Sequence, residues 1–370
     1  MKKIALFLFL ALLFIGCGGG GSGDSFKKGN ENEEISKNEL SSLPLISFLP
    51  IEGGIHEMAL SSDRSYLFAA NSQKLFTIDI KNPKKPQIVS SIPLINGEYT
   101  PYDMVVSSKD EIYVVGDLFA LFSRSFNPYL FLTVIDAKDK KNPKVSGTLI
   151  LEGEARSIKL SKENDKAFIA SGNLFSKEPK GEILIVDIEN PSDLKPIKSV
   201  KLNAFPYSLS ISKEKDRLYV AKGSEGFEII EILSTLEPIS IASYETGSFV
   251  RDIEVSENDQ TLFLAQESKG VAIYDIVDPS FANLLSSVKH LLMSNIVETT
   301  LSEEDKILFA CGGKSGVFAI DISNLSFPKT IALFKSDGSI QKAIVLKEKN
   351  ALLLADNKKG LKIADIKELK

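Results

Sequence analysis

The chain has 370 residues, 43% hydrophobic and 25% charged, with a net charge of −5. That balance excludes a disordered, collagen-like or polytopic membrane chain, and the acidic charge argues against a nucleic-acid binder that relies on a basic face. Two cysteines, Cys17 and Cys311, and two histidines, His56 and His290, exclude a disulfide framework and a Cys/His zinc cluster.

Lys2 and Lys3 precede an unbroken apolar run, Ile4 to Ile15, which is too short for a transmembrane helix of roughly 20 residues and has the length of a signal-peptide core. The run ends in Phe14-Ile15-Gly16-Cys17, which resembles the lipobox of bacterial lipoproteins. The resemblance implies a signal peptide over residues 1–16 and an acylated Cys17 as the mature N-terminus; the alternative is a secretory signal with an incidental cysteine. Gly18 after the cysteine, under the usual sorting rule, directs such a lipoprotein to the outer membrane of a Gram-negative cell. Residues 17–44 are rich in Gly, Ser, Asn, Glu and Lys, the composition of a flexible linker.

From residue 45 to residue 370 the chain repeats. A short apolar run closes on an acidic residue seven times, at Asp79, Asp136, Asp187, Glu231, Asp275, Asp321 and Asp365. The spacing of about 45 residues belongs to repeat architectures. Upstream of each copy lies a strand ending in Leu or Val plus Ser, a polar turn and a second apolar strand; downstream, Asn-Pro or Asp-Pro turns lead to a fourth strand. Four short strands repeated seven times predict an all-β fold, a seven-bladed β-propeller of four-stranded antiparallel blades. The last unit stops after its third strand, while an extra strand, Leu45–Ile51, precedes the first. The N-terminal strand is therefore expected to join the last blade and close the ring.

The Leu184-Ile185-Val186-Asp187 core, the Asn190-Pro191 turn after it and the strand–turn–strand before it resemble the LVIVD-repeat family of bacterial and archaeal surface and lipid-anchored proteins. The resemblance spans nearly all of residues 45–370 and implies a propeller; it brings little biochemistry with it.

The recurring acidic residues read as turn braces, because a group present in every blade does not serve chemistry that happens once per protein. The first residues of the innermost strands are more informative. His56, Glu57, Asp103, Arg156, Arg251, Asp252, Glu298 and Lys342 are expected to ring one mouth of the central channel. They form either ion pairs that wedge the blades together or a polar funnel for a small ligand or cation. No metal, cofactor or nucleophile motif is present, and His56 beside Glu57 is the one acid–base pairing to consider. Cys311 reads as a buried core residue.

Blades two and three are longer than the rest, with extra residues between their second and third strands, at Asp117–Tyr129 and Asn173–Pro179. The first contains Phe119, Leu121, Phe122, Phe126 and Tyr129, and the second Phe175. Such a cluster either contacts a partner or folds back to cap the mouth. The resulting expectation is a lipid-anchored cell-envelope propeller that acts as a non-enzymatic scaffold, held to the membrane and bound to another envelope protein. The alternatives are a lactonase-like propeller hydrolase and a small-ligand or carbohydrate binder working at the channel mouth.

Overall fold

The computed structural model describes residues 40–94, 99–118, 129–174, 180–212, 216–232, 238–302 and 306–369. Cys17, Phe119, Leu121, Phe122, Phe126 and Phe175 lie outside these residues. Seven sheets follow one another along the chain; five have their strands in sequence order, and the last two each take in a strand from the start of the body. Blade one spans residues 57–93, blade two 99–152, blade three 154–202, blade four 208–244, blade five 252–288, blade six 298–334 and blade seven 340–365. No helix among the described residues is long and apolar enough to cross a membrane.

The repeat pattern produces this geometry through three recurrent devices. First, in five blades the serine after the innermost strand turns its hydroxyl back to the start of the next: Ser61 Oγ accepts from Tyr66 N at 3.0 Å, and Ser107, Ser161, Ser256 and Ser302 do the same in blades two, three, five and six. Second, in the six blades whose third strand ends on aspartate, that residue forms an Asx turn. Asp79 Oδ1 accepts from Lys81 N at 2.9 Å, and Asp136, Asp187, Asp275, Asp321 and Asp365 each accept from the amide two residues on. These residues are turn braces, as their recurrence predicted. Third, every pairing of third with fourth strand carries a register shift, as between Thr77 and Ile78 in blade one. A bulge increases local twist, which the blades of a ring require.

The N-terminal strand Leu45–Pro50 pairs antiparallel with Gly360–Asp365 and supplies the fourth strand of blade seven. It even reproduces the bulge, between Leu45 and Ser47. Ser47 Oγ donates to Pro83 O of blade one at 2.6 Å, the same link that Ser90 makes from blade one to blade two. Ile46 and Leu49 pack on a core cluster shared by blades seven and one. Deleting residues 40–50 is expected to drive the protein into aggregates, measured by size-exclusion chromatography against the full chain, because it bares a sheet edge and an apolar seam together.

The body also begins earlier than the expected boundary at 45. Ser41–Ser42 pairs in parallel with Lys329–Phe334, adding a fifth strand to blade six, and Leu43 is buried. The chain thus crosses from the outer edge of blade six to that of blade seven before entering blade one.

The core lies between blades, where neighbouring sheets press their apolar faces together. One cluster joins Phe309 and Val317 of blade six to Ile340 and Leu352 of blade seven, and another joins Tyr219 and Phe227 of blade four to Ile253 and Leu262 of blade five.

Candidate functional site: the polar mouth of the channel

Each innermost strand starts at one rim of the ring and runs inward, so its first residues meet around the axis. All eight residues expected at the mouth line a single cavity of about 410 Å³. Antiparallel pairing places the ends of the second strands on that same rim: Leu118 pairs with Tyr99, and Asn173 leads to the interval before Lys180. The two longer connections of blades two and three therefore leave from the rim of the mouth. Part of the extra length extends the strands, since Asp117 and Leu118 are strand residues paired with Leu130 and Tyr129.

Just inside the mouth, one lysine serves three blades. Lys342 Nζ donates to Glu57 Oε2 at 2.8 Å and Asp103 Oδ1 at 3.2 Å, and lies 3.9 Å from Glu298 Oε1. Asp103 and Glu298, with Asp252 beside them, also accept from the backbone of the next blade. Asp103 Oδ2 accepts from Ile158 N at 2.9 Å, Ser157 Oγ at 2.8 Å and Lys159 Nζ at 3.2 Å. Asp252 Oδ2 accepts from Thr299 N at 2.8 Å and Oδ1 from Ser208 Oγ at 2.7 Å; Glu298 Oε2 accepts from Ala343 N at 2.9 Å. Ser157 Oγ in turn accepts from Leu209 N at 3.2 Å. Side chains at one strand position thus staple successive blades together.

The electrostatics follow from burial. Burial pushes the Glu57 carboxyl up to about 7, against the pull of Lys342, and pushes Glu298 well above the usual carboxylate range. Burial also works to raise Asp103, but Lys159, Lys342 and the hydrogen bonds from Ile158 and Ser157 hold it well below its ordinary value. Although burial opposes the charge on Lys342, Glu57, Asp103 and Glu298 keep its ammonium well above the usual range. Cys311 is a buried free thiol with Sγ 3.5 Å from Glu298 Oε2, and burial pushes it up as well.

The two arginines of the expected ring stand apart from this lysine hub. Arg156 turns toward blade two, where it bonds Asp117 at 3.1 Å and Glu154, two carboxylates with no exposed surface, and its guanidinium lies 3.8 Å over the Tyr102 ring. Burial pushes Asp117 up to about 7. Arg251 is exposed at the rim, 5.8 Å from the ring centre of Tyr207, and no hydrogen bond or ion pair of its side chain is found among the described residues. The ring is therefore not uniformly self-neutralising. Tyr207 packs edge-on against Phe205 and Phe249, so the rim alternates arginine and aromatic side chains. His56 is half-buried in the cavity, and burial lowers its imidazole and favours the neutral ring. No hydrogen bond joins it to Glu57 among the described residues, and Glu57 Oε2 is held by Lys342. No group of three or more metal-ligating side chains is assembled among them either.

Lys159, Glu154, Phe205 and Phe249 escaped the sequence reading, and Asp117 was read only as the start of a longer connection. Lys159 lies beyond the aligned position, and the others occur in single blades where no repeat draws attention to them.

Comparisons with known proteins bear on the fold. Residues 152–201, most of blade three, match the family model described as LVIVD repeat. A crystal structure of a functionally unknown protein from Desulfotomaculum acetoxidans DSM 771 is similar, with a TM-score of 0.61 and 12% identity, over 79% of this chain and 89% of that one. No match is found among curated proteins. The chain is a seven-bladed β-propeller that carries the LVIVD repeat.

Proposed function

We propose that the chain is a lipid-anchored propeller of the bacterial cell envelope, in the outer membrane where the cell is Gram-negative, and that it is a non-enzymatic scaffold for another envelope protein. The contact face in this reading is the mouth-side rim of blades two and three. The observation that supports it is the rigid platform there: Arg156 clamped between Tyr102, Asp117 and Glu154, beside the longer connections, with Tyr129 at 40% exposure where the chain re-enters the sheet. An exposed aromatic on a fixed base is what an interface anchor requires. The combined substitution of Phe119→Ser, Phe122→Ser and Tyr129→Ala is expected to leave thermal unfolding nearly unchanged and to remove a crosslinked partner identified by mass spectrometry in intact cells. An unchanged crosslinking pattern overturns the reading, and a large fall in melting temperature assigns those residues to capping the mouth.

A second reading is favoured by Arg251 and His56, two cavity residues whose side chains make no hydrogen bond or ion pair among the described residues. A cavity of about 410 Å³ matches a small ligand, and an exposed arginine beside tyrosine and a neutral imidazole suits an anionic one. A thermal-shift panel of short carboxylates, sugar acids and lactones is expected to give a hit that Arg251→Ala abolishes. Hydrolysis of a lactone in the same panel, lost in His56→Ala, is the outcome that marks a hydrolase.

A further inference from the structure

Blades five and six carry an apolar surface on the rim away from the mouth. Of the fifteen strongly exposed large hydrophobic side chains among the described residues, seven fall between Val277 and Phe327, of which only Leu291 and Leu292 belong to the mouth side. Phe281 is 71% and Phe327 58% exposed. Both occupy one position of the turn between third and fourth strands, where the amide closes back on Asp278 O and Asn324 O. At the same position blades one, two and three have Lys85, Asn142 and Asp193. Polar residues therefore satisfy that turn, and the two phenylalanines are not required by it. Ser286 Oγ donates to Leu325 O at 2.5 Å, which ties the strand bearing Leu284, 53% exposed, to the turn bearing Phe327.

The chain leading to residue 40 arrives at the same place. Ser41–Ser42 runs parallel to Lys329–Phe334, whose Lys329 end lies beside Asp321 at the rim away from the mouth. Leu40 packs on the core cluster that also receives Leu325. Thirty-nine residues precede this point, and the anchoring reading puts an acyl group on Cys17 among them.

We propose that Phe281, Phe327, Val277 and Leu284 form a membrane-contact surface that seats the propeller on the lipid leaflet holding its anchor, with the channel mouth turned away from the lipid. Side chains at the tips of convex turns suit insertion among lipid headgroups, whereas a protein partner's anchor needs a pocket to fill. The proposal rests on the anchoring reading, and its test separates the two.

The chain has no tryptophan, so single reporters are clean. Phe327→Trp and, as a mouth-side control, Leu291→Trp are made in the full chain, and vesicles of brominated phosphatidylethanolamine and phosphatidylglycerol are added. The expected result is a blue shift and quenching for Phe327→Trp and neither for Leu291→Trp. Joint Phe281→Ser and Phe327→Ser substitution is expected to lower vesicle partitioning by roughly tenfold or more. Absence of quenching in the Phe327→Trp variant overturns the proposal, as does quenching confined to the mouth-side control. A concentration-dependent blue shift without vesicles also overturns it and assigns the surface to a second copy of the chain. Mass spectrometry of Cys17 decides the anchor separately: an unmodified cysteine refutes anchoring, while quenching on added vesicles still decides the surface.

Discussion

Replacing Lys342 by methionine is expected to destabilise the propeller by about 3–5 kcal/mol, the usual cost of removing one partner from a buried ionic cluster. The lysine is the shared counterion of Glu57, Asp103 and Glu298, which come from blades one, two and six. Methionine matches its length but leaves two carboxyls that burial already pushes upward without their cation. Urea denaturation at neutral pH measures the effect. Adding Glu57→Gln and Glu298→Gln to the methionine variant is expected to restore much of the loss, because neutral amides need no counterion. A loss of less than about 1 kcal/mol in the single variant refutes the hub as a structural element.

The second large effect is a stability that declines between mildly acid and mildly alkaline pH. Glu57 rises from an ordinary 4.5 to about 7 in the folded protein, and Asp117 from 3.8 to about 7. A carboxyl raised on folding binds its proton more tightly in the native state. Its contribution is complete below the unfolded value and is lost as pH rises through the folded one. Asp103 has the opposite sign: its contribution is present above its unfolded value and disappears only in strong acid. Urea midpoints are therefore expected to be higher at pH 5 than at pH 8, and Glu57→Gln with Asp117→Asn is expected to flatten the difference. A midpoint that rises with pH across that interval contradicts the assignment.

The ring was readable because its local devices are short-range. Asp79 braces the amide two residues away and Ser61 the amide five away, so each leaves the same mark in most repeats. Ring closure was readable for a different reason: the final unit lacked a strand and Leu45–Ile51 was an alternating run without a sheet. Ser41–Ser42 gave no such sign. Two serines have no hydrophobic alternation, and their pairing is made by backbone alone. The mouth was legible as a set of positions and not as a network. Alignment brought His56, Glu57, Asp103 and Lys342 to one rim, but the Lys342–Glu57 bond joins residues 285 positions apart. Arg156 went astray because its partners, Asp117 and Glu154, belong to the lengthened strands of blades two and three, which obey no repeat.

The pairing of Leu45 with Ala364 also dictates a timetable. A strand made near the start of the body must wait for the last one before it can take its place. Six units can stack as they emerge, but the circle stays an open arc until the final residues arrive. Throughout that interval the exposed flank of blade one, with Ile55, Met58 and Leu67, has nothing to rest on. Such a chain is most exposed to misassembly late in its production, when nearly everything else is in order.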